Sequence, residues 1–235
     1  MADENFKRYE KKYLLDGEKY FFFYDELSQH MQPDKYGLST ICNIYFDTDN
    51  FRLVRESMER PVYKEKLRIR TYGIPGPDSE AFVEIKKKFD GVVYKRRLSM
   101  KYDDAFKWLT GKSFCEMPAK KSQVGNEVNY FLSFYGNLRP SVVLCYDRVA
   151  FFDPENPELR VTIDTNIRSR KENLDLRVGD YGDLLFEKPK HLIEIKVPSK
   201  MPFWMTKMLG KYEIYPTSFS KYGRIYEKYL TEEAM

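Results

Sequence analysis

The sequence predicts an α+β fold in which about eight antiparallel strands, mostly joined by hairpins, are combined with amphipathic helices. Three observations lead to this prediction. Segments with period-two alternation recur along the chain, their charged residues share one strand face, and apolar residues recur at helical spacing in 17–30, 122–135 and 221–231. Because amphipathic helices need an apolar surface on which to dock, we expect them to cover the apolar side of the sheet.

The chain begins with a predicted strand and a predicted helix. Residues 6–15 alternate charged with apolar side chains, and Gly17 opens a helical pattern that Pro33 closes. A strand rich in β-branched and aromatic residues is expected over 41–48, and a short helix over 49–59.

The clearest strands lie in the next segment, 64–99. Basic residues alternate first with Leu67 and Ile69, and charged residues alternate again around Val83. A third strand follows the Asp90-Gly91 dipeptide, which is a strong hairpin signal. The residues expected on the charged face are Lys64, Lys66, Arg68, Arg70, Glu84, Lys86, Lys88, Lys95, Arg97 and Ser99.

The second half of the chain alternates helices with strands. A helix capped at 102–104 is expected through Phe106 and Leu109, with Gly111 and Lys112 ending it. A stronger helical pattern starts at Ser122 and ends before Pro140. Strands are expected over 141–152, 160–167 and 192–197. Since the chain has no internal repeat, low-complexity linker or shift in composition, residues 1–235 are expected to form a single domain.

Composition excludes several classes of protein. The 42% hydrophobic content provides a substantial core, and the excess of 40 basic over 36 acidic residues is too small to indicate a nucleic-acid-binding protein. Cys42, Cys115 and Cys145 lack CxxC spacing and fit reduced thiols. Without a signal-peptide pattern or a run of roughly 18–20 apolar residues, we expect a soluble, cytoplasmic protein with no membrane span.

Two arrangements of the sheet are compatible with a charged face that recurs on several strands. In a sandwich or small barrel with an apolar interior, the charges would point to water. Alternatively, the sheet closes into a barrel with a charged lumen, and the helices cover its apolar outside. Such a lumen would need an anionic ligand of high charge density, because burying unpaired like charges is costly.

Short motifs along nearly the whole chain resemble the VTC-type polyphosphate polymerase domain of the triphosphate tunnel metalloenzyme superfamily. No single motif is specific, but the ordered set is. The motifs are R-Y-E-K-K-Y at 8–13, I-Y-F-D-T at 44–48, K-L-R-I-R at 66–70, F-V-E-I-K at 82–86, Y-K-R-R at 94–97, Y-D-R-V-A-F at 146–151, R-V-T-I-D at 160–164, L-I-E-I-K at 192–196 and S-F-S-K-Y at 218–222.

The resemblance implies an eight-stranded antiparallel β-barrel tunnel with a charged lumen, in which the terminal phosphoryl group of ATP moves onto a polyphosphate chain. A divalent ion, Mn²⁺ or Mg²⁺, is implied as cofactor. The residues implied as catalytic are Arg68, Arg70, Lys86, Arg148 and Lys221. Those implied as substrate-binding are Lys12, Lys95, Arg97, Arg160 and Ser220, and Lys196 joins them from the charged face. Glu194 is the metal candidate, and Glu10 is a weaker one.

The sequence also departs from the wider superfamily. The E-x-E-x-K motif of the first strand has Arg8 in place of its first Glu, which favours the VTC branch over the adenylate cyclase and thiamine triphosphatase branch. The SPX domain and membrane helices of the eukaryotic complex have no counterpart here, so membrane coupling, translocation and inositol-phosphate regulation are not expected.

Several alternatives remain open. A tunnel-type tripolyphosphatase or nucleoside triphosphatase would need the same residues, and a non-catalytic polyphosphate-binding module would need the basic ones. Whatever the function, three residue roles have simpler alternatives. Glu194 would bind no metal and simply neutralise Lys196, and Ser220 would be only a helix N-cap or would combine that role with phosphate binding. One of Lys86, Lys95 and Arg97 would merely pair with Glu84. The sequence does not indicate an oligomeric state.

Overall fold

The computed structural model describes residues 9–59, 61–90, 92–111, 122–198 and 200–233, and within 231–233 it describes the backbone only. Some sequence predictions fall outside the described residues: the start of the first strand with Arg8, the turn glycine Gly91, the helix end at Lys112 and the thiol of Cys115.

The described residues form ten strands, all paired antiparallel where pairing is defined, and eight of them are seven residues or longer. The predicted α+β class and its eight main strands are therefore confirmed. The strands are β1 (Tyr9–Leu15), β2 (Gln32–Pro33), β3 (Ser39–Asp47), β4 (Tyr63–Tyr72), β5 (Glu80–Phe89), β6 (Val92–Lys101), β7 (Arg139–Phe152), β8 (Arg160–Arg170), β9 (Asp183–Leu184) and β10 (His191–Val197).

Six α-helices occur in the described part of the chain, together with a short 3-10 helix at Leu176–Val178. They are α1 (Gly17–His30), α2 (Arg52–Met58), α3 (Tyr102–Leu109), α4 (Gln123–Tyr135), α5 (Phe203–Lys211) and α6 (Lys221–Glu233). Five of them match predicted helices. Helix α5 was missed, although it buries Met205, Met208 and Leu209 at helical spacing.

Residue contacts divide the chain into two compact units that are interleaved in sequence. Unit 1 comprises Met1–Ser39, Tyr146–Ile167 and Phe186–Phe219, and unit 2 comprises Thr40–Cys145, Arg168–Leu185 and Ser220–Met235. The single domain expected over residues 1–235 stays a prediction.

In unit 1 the strand order is β1, β10, β8 and the C-terminal part of β7. The register places Lys12 opposite Glu194, and Glu10 opposite Lys196. Helix α1 begins at the cap Asp16, whose carboxylate accepts the backbone N–H of Lys19 at 3.2 Å. The apolar strand faces form a core with α1 and α5, in which Phe23, Leu27, Ile163, Ile193, Ile195 and Met205 are buried.

In unit 2 the order is the N-terminal part of β7, then β3, β4, β5 and β6. Helix α4 covers the apolar strand faces, as expected, and α3 does so too. Their side chains form a core with Ile44, Leu67, Ile69, Val83, Ile85, Trp108, Val128 and Phe131. The opposite strand faces also hold buried polar residues, among them Asn43, Arg70 and Glu84. A fully solvated charged face is therefore excluded for these residues.

Helix α6 was also expected on the apolar strand faces. It instead contacts the charged face, where Tyr222 stacks on Tyr45 and Ser220 accepts a hydrogen bond from Lys66.

Candidate functional site

Glu84 lies at the centre of a basic cluster in unit 2, formed by Arg68, Arg70, Lys95 and Arg97. Its side chain is fully buried. The Oε2 atom accepts from Nε and Nη2 of Arg68 at 2.8 and 2.7 Å. The Oε1 atom accepts from Nζ of Lys95 at 2.8 Å and from Nε and Nη2 of Arg97 at 2.7 and 2.5 Å. Arg70 Nε is 3.9 Å from Oε2. Among the described residues, at least four basic side chains therefore surround this carboxylate.

Strand register produces the basic cluster. Glu84 is directly opposite Arg68 on β4 and directly opposite Arg97 on β6, so these three side chains form one row across three strands. Because side chains two residues apart share a strand face, Arg70 and Lys95 lie diagonally next to this row. A one-residue slip in register would move the whole cluster to the opposite face.

Charge interactions in the basic cluster override the cost of burial. Burial alone would raise the pKa of Glu84, but the positive charges of Arg68, Arg70 and Lys95 hold it far below its usual range. Burial likewise favours a higher pKa for Tyr45, yet Arg68, Lys66 and Arg70 lower it to about 8. Glu84 is thus ionised at neutral pH, and Tyr45 is poised to lose its proton just above neutral pH.

Neutral side chains hold the two arginines of β4 in place. Arg68 Nη1 donates to the Tyr45 hydroxyl at 2.9 Å. Arg70 Nε donates to Asn43 Oδ1 at 3.0 Å, and the Asn43 amide donates in turn to the backbone carbonyl of Leu144 at 3.0 Å. Sequence reasoning missed Asn43 and Tyr45 as partners, although their alternation on β3 places them on the charged face.

The start of α6 adds a further basic group to unit 2. Ser220 Oγ accepts the backbone N–H of Gly223 at 3.1 Å, as an N-cap does, and accepts Lys66 Nζ at 2.9 Å. Lys221 is the first residue of the helix. The N-cap role considered for Ser220 is therefore present. Lys66 was not among the predicted site residues, although it shares the charged face with Arg68.

A buried carboxylate fixes this end of α6. Asp47, which is fully buried, accepts the backbone N–H groups of Leu53 and Val54 at 2.8 and 3.0 Å, at the start of α2. It also accepts the Tyr222 hydroxyl at 2.9 Å. One carboxylate therefore binds two helices, and the aromatic ring of Tyr222 stacks on Tyr45 with 4.8 Å between ring centroids.

Unit 1 contains a second group of charges, the acid-rich cluster of Glu10, Lys12, Arg148, Asp164 and Glu194. Lys12 Nζ lies 3.4 Å from Glu10 and 3.4 Å from Glu194, and it donates to the Phe219 carbonyl at 3.1 Å. Arg148 binds Asp164 through two hydrogen bonds of 2.6 and 2.7 Å and lies 3.6 Å from Glu194. Asp164 therefore acts as an ion-pair partner of Arg148.

The acid-rich cluster has the donor chemistry for a divalent metal ion. The carboxylates of Glu10 and Glu194 converge on one cation, the Lys12 ammonium, at distances longer than tight charge-assisted hydrogen bonds. Mn²⁺ and Mg²⁺ prefer such hard oxygen ligands and share their coordination shell with phosphate oxygens and water. Among the described residues, no three His, Cys, Asp or Glu side chains are arranged so that they could hold a metal ion by themselves, so phosphate oxygens and water would have to complete the coordination shell around Glu10 and Glu194.

The other predicted residues lie less centrally. Lys86 is half-buried on the charged face, where the register places it between Lys66 and Lys95. Arg160 is exposed and donates to the Pro157 carbonyl at 3.2 Å. Lys196 is half-buried and pairs in register with Glu10 and Arg160. The roles of these residues stay predictions.

Lys87 and Arg96, which break the charged pattern, have a different partner. Both lie 3.5 Å from Glu127 on α4, on the face of the strands that this helix covers. Lys87 and Arg96 are therefore positively charged sequence neighbours of site residues that do not belong to the basic cluster, and they can serve as matched controls.

Comparison with known proteins gives a match over nearly the whole chain. The family model described as "VTC domain" matches residues 7–229. Vacuolar transporter chaperone complex subunit 4 of Schizosaccharomyces pombe is 26% identical over 225 residues, which cover 78% of this chain and 31% of the relative. The Trypanosoma cruzi subunit 4 is 24% identical over 220 residues, with 79% and 27% coverage. The chain thus spans less than a third of the length of these curated relatives.

Solved structures give weaker matches. HpAC1 from Hippeastrum, for which a dominant triphosphatase activity is described, aligns with a TM-score of 0.49 and 16% identity over 91% of this chain and 92% of its own. The PH1012 protein from Pyrococcus horikoshii aligns with a TM-score of 0.42 and 13% identity over 90% and 96%. In the described part of the chain, no helix combines the length and apolar character needed to cross a membrane. The cytoplasmic location stays a prediction.

Proposed function

Because the chain belongs to the VTC domain family, we propose that it is a polyphosphate polymerase that transfers the terminal phosphoryl group of ATP to a polyphosphate chain. The observation that carries this proposal is the basic cluster. At least four cationic side chains of unit 2 surround a single buried carboxylate. Such an excess of positive charge suits a ligand with one negative charge on each repeating unit.

The arginines of the basic cluster would bind non-bridging phosphate oxygens. Guanidinium groups suit this task because their planar donors match two oxygens at once. Arg68 and Arg70 are already oriented by hydrogen bonds to Tyr45 and Asn43. Enzymatic phosphoryl transfer depends mainly on such positioning and on stabilising the charge that develops. Lys66, Lys86 and Lys221 would extend the same surface along the chain of phosphates.

In unit 1, Glu194 and Glu10 would hold the divalent cation, with Mn²⁺ as the expected ion. The cation, when bound, would neutralise phosphate oxygens and orient the triphosphate. Lys12 and Arg148 lie beside these carboxylates and would contact phosphate oxygens. Asp164 would keep the Arg148 guanidinium in a fixed orientation through its paired hydrogen bonds.

One assay tests the proposed reaction. The purified protein is incubated with ATP and Mn²⁺, the products are separated on a gel stained for long-chain polyphosphate, and free phosphate is measured in parallel. Long chains are expected. Release of phosphate without chains would make the protein a hydrolase, and the absence of both products would make it a binding module.

A matched pair of variants tests whether the basic cluster carries the activity. Arg97→Ala removes a cluster residue, whereas Arg96→Ala removes its neighbour on the opposite strand face, which pairs with Glu127. Polymer formation is expected to fall strongly in the first variant and to stay near the wild-type level in the second. Equal activity in both variants would contradict the assignment of the site.

A further inference from the structure

Glu84 occupies the position in unit 2 where an anionic ligand would meet the most positive charge. Both of its oxygens accept hydrogen bonds from cationic side chains, and its own side chain is closed to solvent. The planar carboxylate presents two oxygens to Arg68 and Arg97, as the non-bridging oxygens of a phosphate group would. The Glu84 carboxylate therefore acts as an anion that the protein itself supplies to the basic cluster.

Removal of that anion would leave like charges close together in a poorly solvated place. The side chains of Arg68 and Arg70 are only 16% and 9% exposed. Taking one partner away from a buried charge group is strongly destabilising, because the remaining charges are neither solvated nor compensated. Glu84 therefore stabilises the basic cluster when no ligand is bound.

The same contacts should oppose ligand binding. A phosphate group that approaches the cluster meets guanidinium groups whose donors already bind a carboxylate, and it also meets the negative charge of that carboxylate. Net affinity is then the difference between gaining phosphate contacts and weakening contacts to Glu84. Because Glu84 belongs to β5, its backbone stays beside the cluster, and its carboxylate competes with every incoming phosphate group for the same donors.

We propose that Glu84 is an internal counter-anion of the basic cluster, which stabilises the empty site and at the same time weakens the binding of phosphate chains so that they can be released. The inference rests on the proposed function for the class of ligand, a linear polyphosphate, but it requires no catalysis. It assigns Glu84 a positioning role and a limit on affinity, and no direct part in bond making or breaking.

The test compares Glu84→Gln with wild type in the full chain, with Glu127→Gln as the matched control. Glu127 also contacts two basic side chains, but on the face covered by α4. Thermal unfolding is measured without and with tripolyphosphate, and the Kd for tripolyphosphate is measured by calorimetry without metal. The Glu84→Gln variant should unfold at a lower temperature when empty, gain more stability from tripolyphosphate than wild type, and bind it about tenfold more tightly. The control should behave like wild type.

Weaker or unchanged binding by a folded Glu84→Gln variant would overturn the proposal. If this variant does not fold alone, folding rescued by tripolyphosphate supports the proposal. If tripolyphosphate does not rescue it, Glu84→Gln combined with Arg97→Gln restores the original net charge and should fold. Failure of the double variant to fold would reduce Glu84 to a packing residue and overturn the proposal.

The two proposals fail separately. If wild-type protein binds tripolyphosphate but makes no polymer, the proposed polymerase activity is refuted. The role of Glu84 is then decided by comparing the Kd values of wild type and Glu84→Gln. Wild-type protein that does not bind tripolyphosphate refutes the counter-anion, whatever product the polymer assay shows.

Discussion

The basic cluster of unit 2 and the acid-rich cluster of unit 1 use the same residue types in opposite proportions. In the first, one carboxylate receives tight contacts from several cations, such as 2.7 Å from Arg68 and 2.8 Å from Lys95. In the second, two carboxylates share the ammonium of Lys12 at 3.4 Å each. Cations surrounding one anion favour a polyanion, whereas carboxylates converging on one cation favour a divalent metal ion.

The comparison teaches that ion-pair counts alone do not identify a site. Both clusters contain Glu residues paired to Lys or Arg on neighbouring strands. What differs is which charge is in excess, and how closely Glu84 in the first cluster and Lys12 in the second are held by their partners. The following predictions separate the two clusters, beginning with the largest expected effect.

Arg70→Ala should reduce polymer formation at least about 100-fold, because a missing charge-stabilising contact lowers the rate of phosphoryl transfer by large factors. Affinity for tripolyphosphate should fall as well. Activity is measured by polymer yield from ATP and Mn²⁺, and circular dichroism checks that the variant, whose arginine also binds Asn43, is folded. Unchanged turnover in the folded variant would remove Arg70 from the site.

Glu194→Gln should reduce metal-dependent turnover about 10 to 100-fold, because an amide is a poor ligand for a hard cation. This loss is smaller than the one expected for Arg70→Ala. Binding of tripolyphosphate without metal should stay within a few-fold of wild type. This variant thereby distinguishes the clusters, since Arg70→Ala impairs both properties. An unaltered Mn²⁺ dependence of activity would show that Glu194 pairs with basic side chains such as Lys12 and Arg148 and does not hold the metal ion.

Affinity for tripolyphosphate should decrease several-fold as the pH rises through about 8. The pKa of Lys95 is lowered to about 8, mainly by desolvation and also by the positive charges of Arg70 and Arg97, which together outweigh the attraction of Glu84. Because 41% of the Lys95 side chain is exposed, solvent screening limits the size of the effect on affinity. Tyr45 loses its proton in the same range. Both events remove positive charge or add negative charge. Calorimetric titrations between pH 7 and 9 measure the change.

A double variant, Lys95→Met with Tyr45→Phe, provides the control for this pH dependence. Because tripolyphosphate also changes its charge in this range, the two proteins are compared at each pH. The decrease in affinity between pH 7 and 9 should be clearly smaller in the double variant than in wild type. An identical pH dependence in the two proteins would show that neither Lys95 nor Tyr45 is the titrating group.

Ser220→Ala should have the smallest effect. Loss of an N-cap lowers the free energy of unfolding by about 1 kcal/mol, and the released Lys66 should change polymer yield only a few-fold. Chemical denaturation measures the first quantity. Thr206→Ala in α5 is the matched control, because this hydroxyl donates to the Phe203 carbonyl of its own helix at 2.8 Å and accepts no backbone N–H of the described residues as a cap would. Equal stability of Ser220→Ala and wild type would contradict the cap.

Much of the basic cluster follows from local sequence. Period-two alternation and the hairpin signal of the Asp90-Gly91 dipeptide are enough to predict Glu84 opposite Arg97, because the loop length of a hairpin fixes its register, and the described strands have this pairing. That Glu84 would be the centre of the cluster could not be read from the sequence. It depends on how deeply β5 is buried and on the approach of Arg68 from β4.

Contacts between residues far apart in sequence were not predictable. Lys66 and Ser220 are separated by 154 positions, and no periodicity links a strand residue to a helix cap at that distance. The partner of Lys87 and Arg96 was missed for the same reason, since Glu127 belongs to a separate helix. By contrast, α5 could have been predicted from the spacing of Met205 and Leu209, which follows the helical period.

The carboxylate of Asp47 also has a mechanical consequence for unit 2. By accepting from the first turn of α2 and from Tyr222, it couples two helices that are far apart in sequence. A displacement of α2 by even half a turn would break buried hydrogen bonds or pull α6 along with it. The structural effect of substitutions between Arg52 and Met58 should therefore reach Ser220 at the start of α6. Changes in α2 would then alter the geometry of the proposed phosphate-binding residues near Ser220 without replacing any of them.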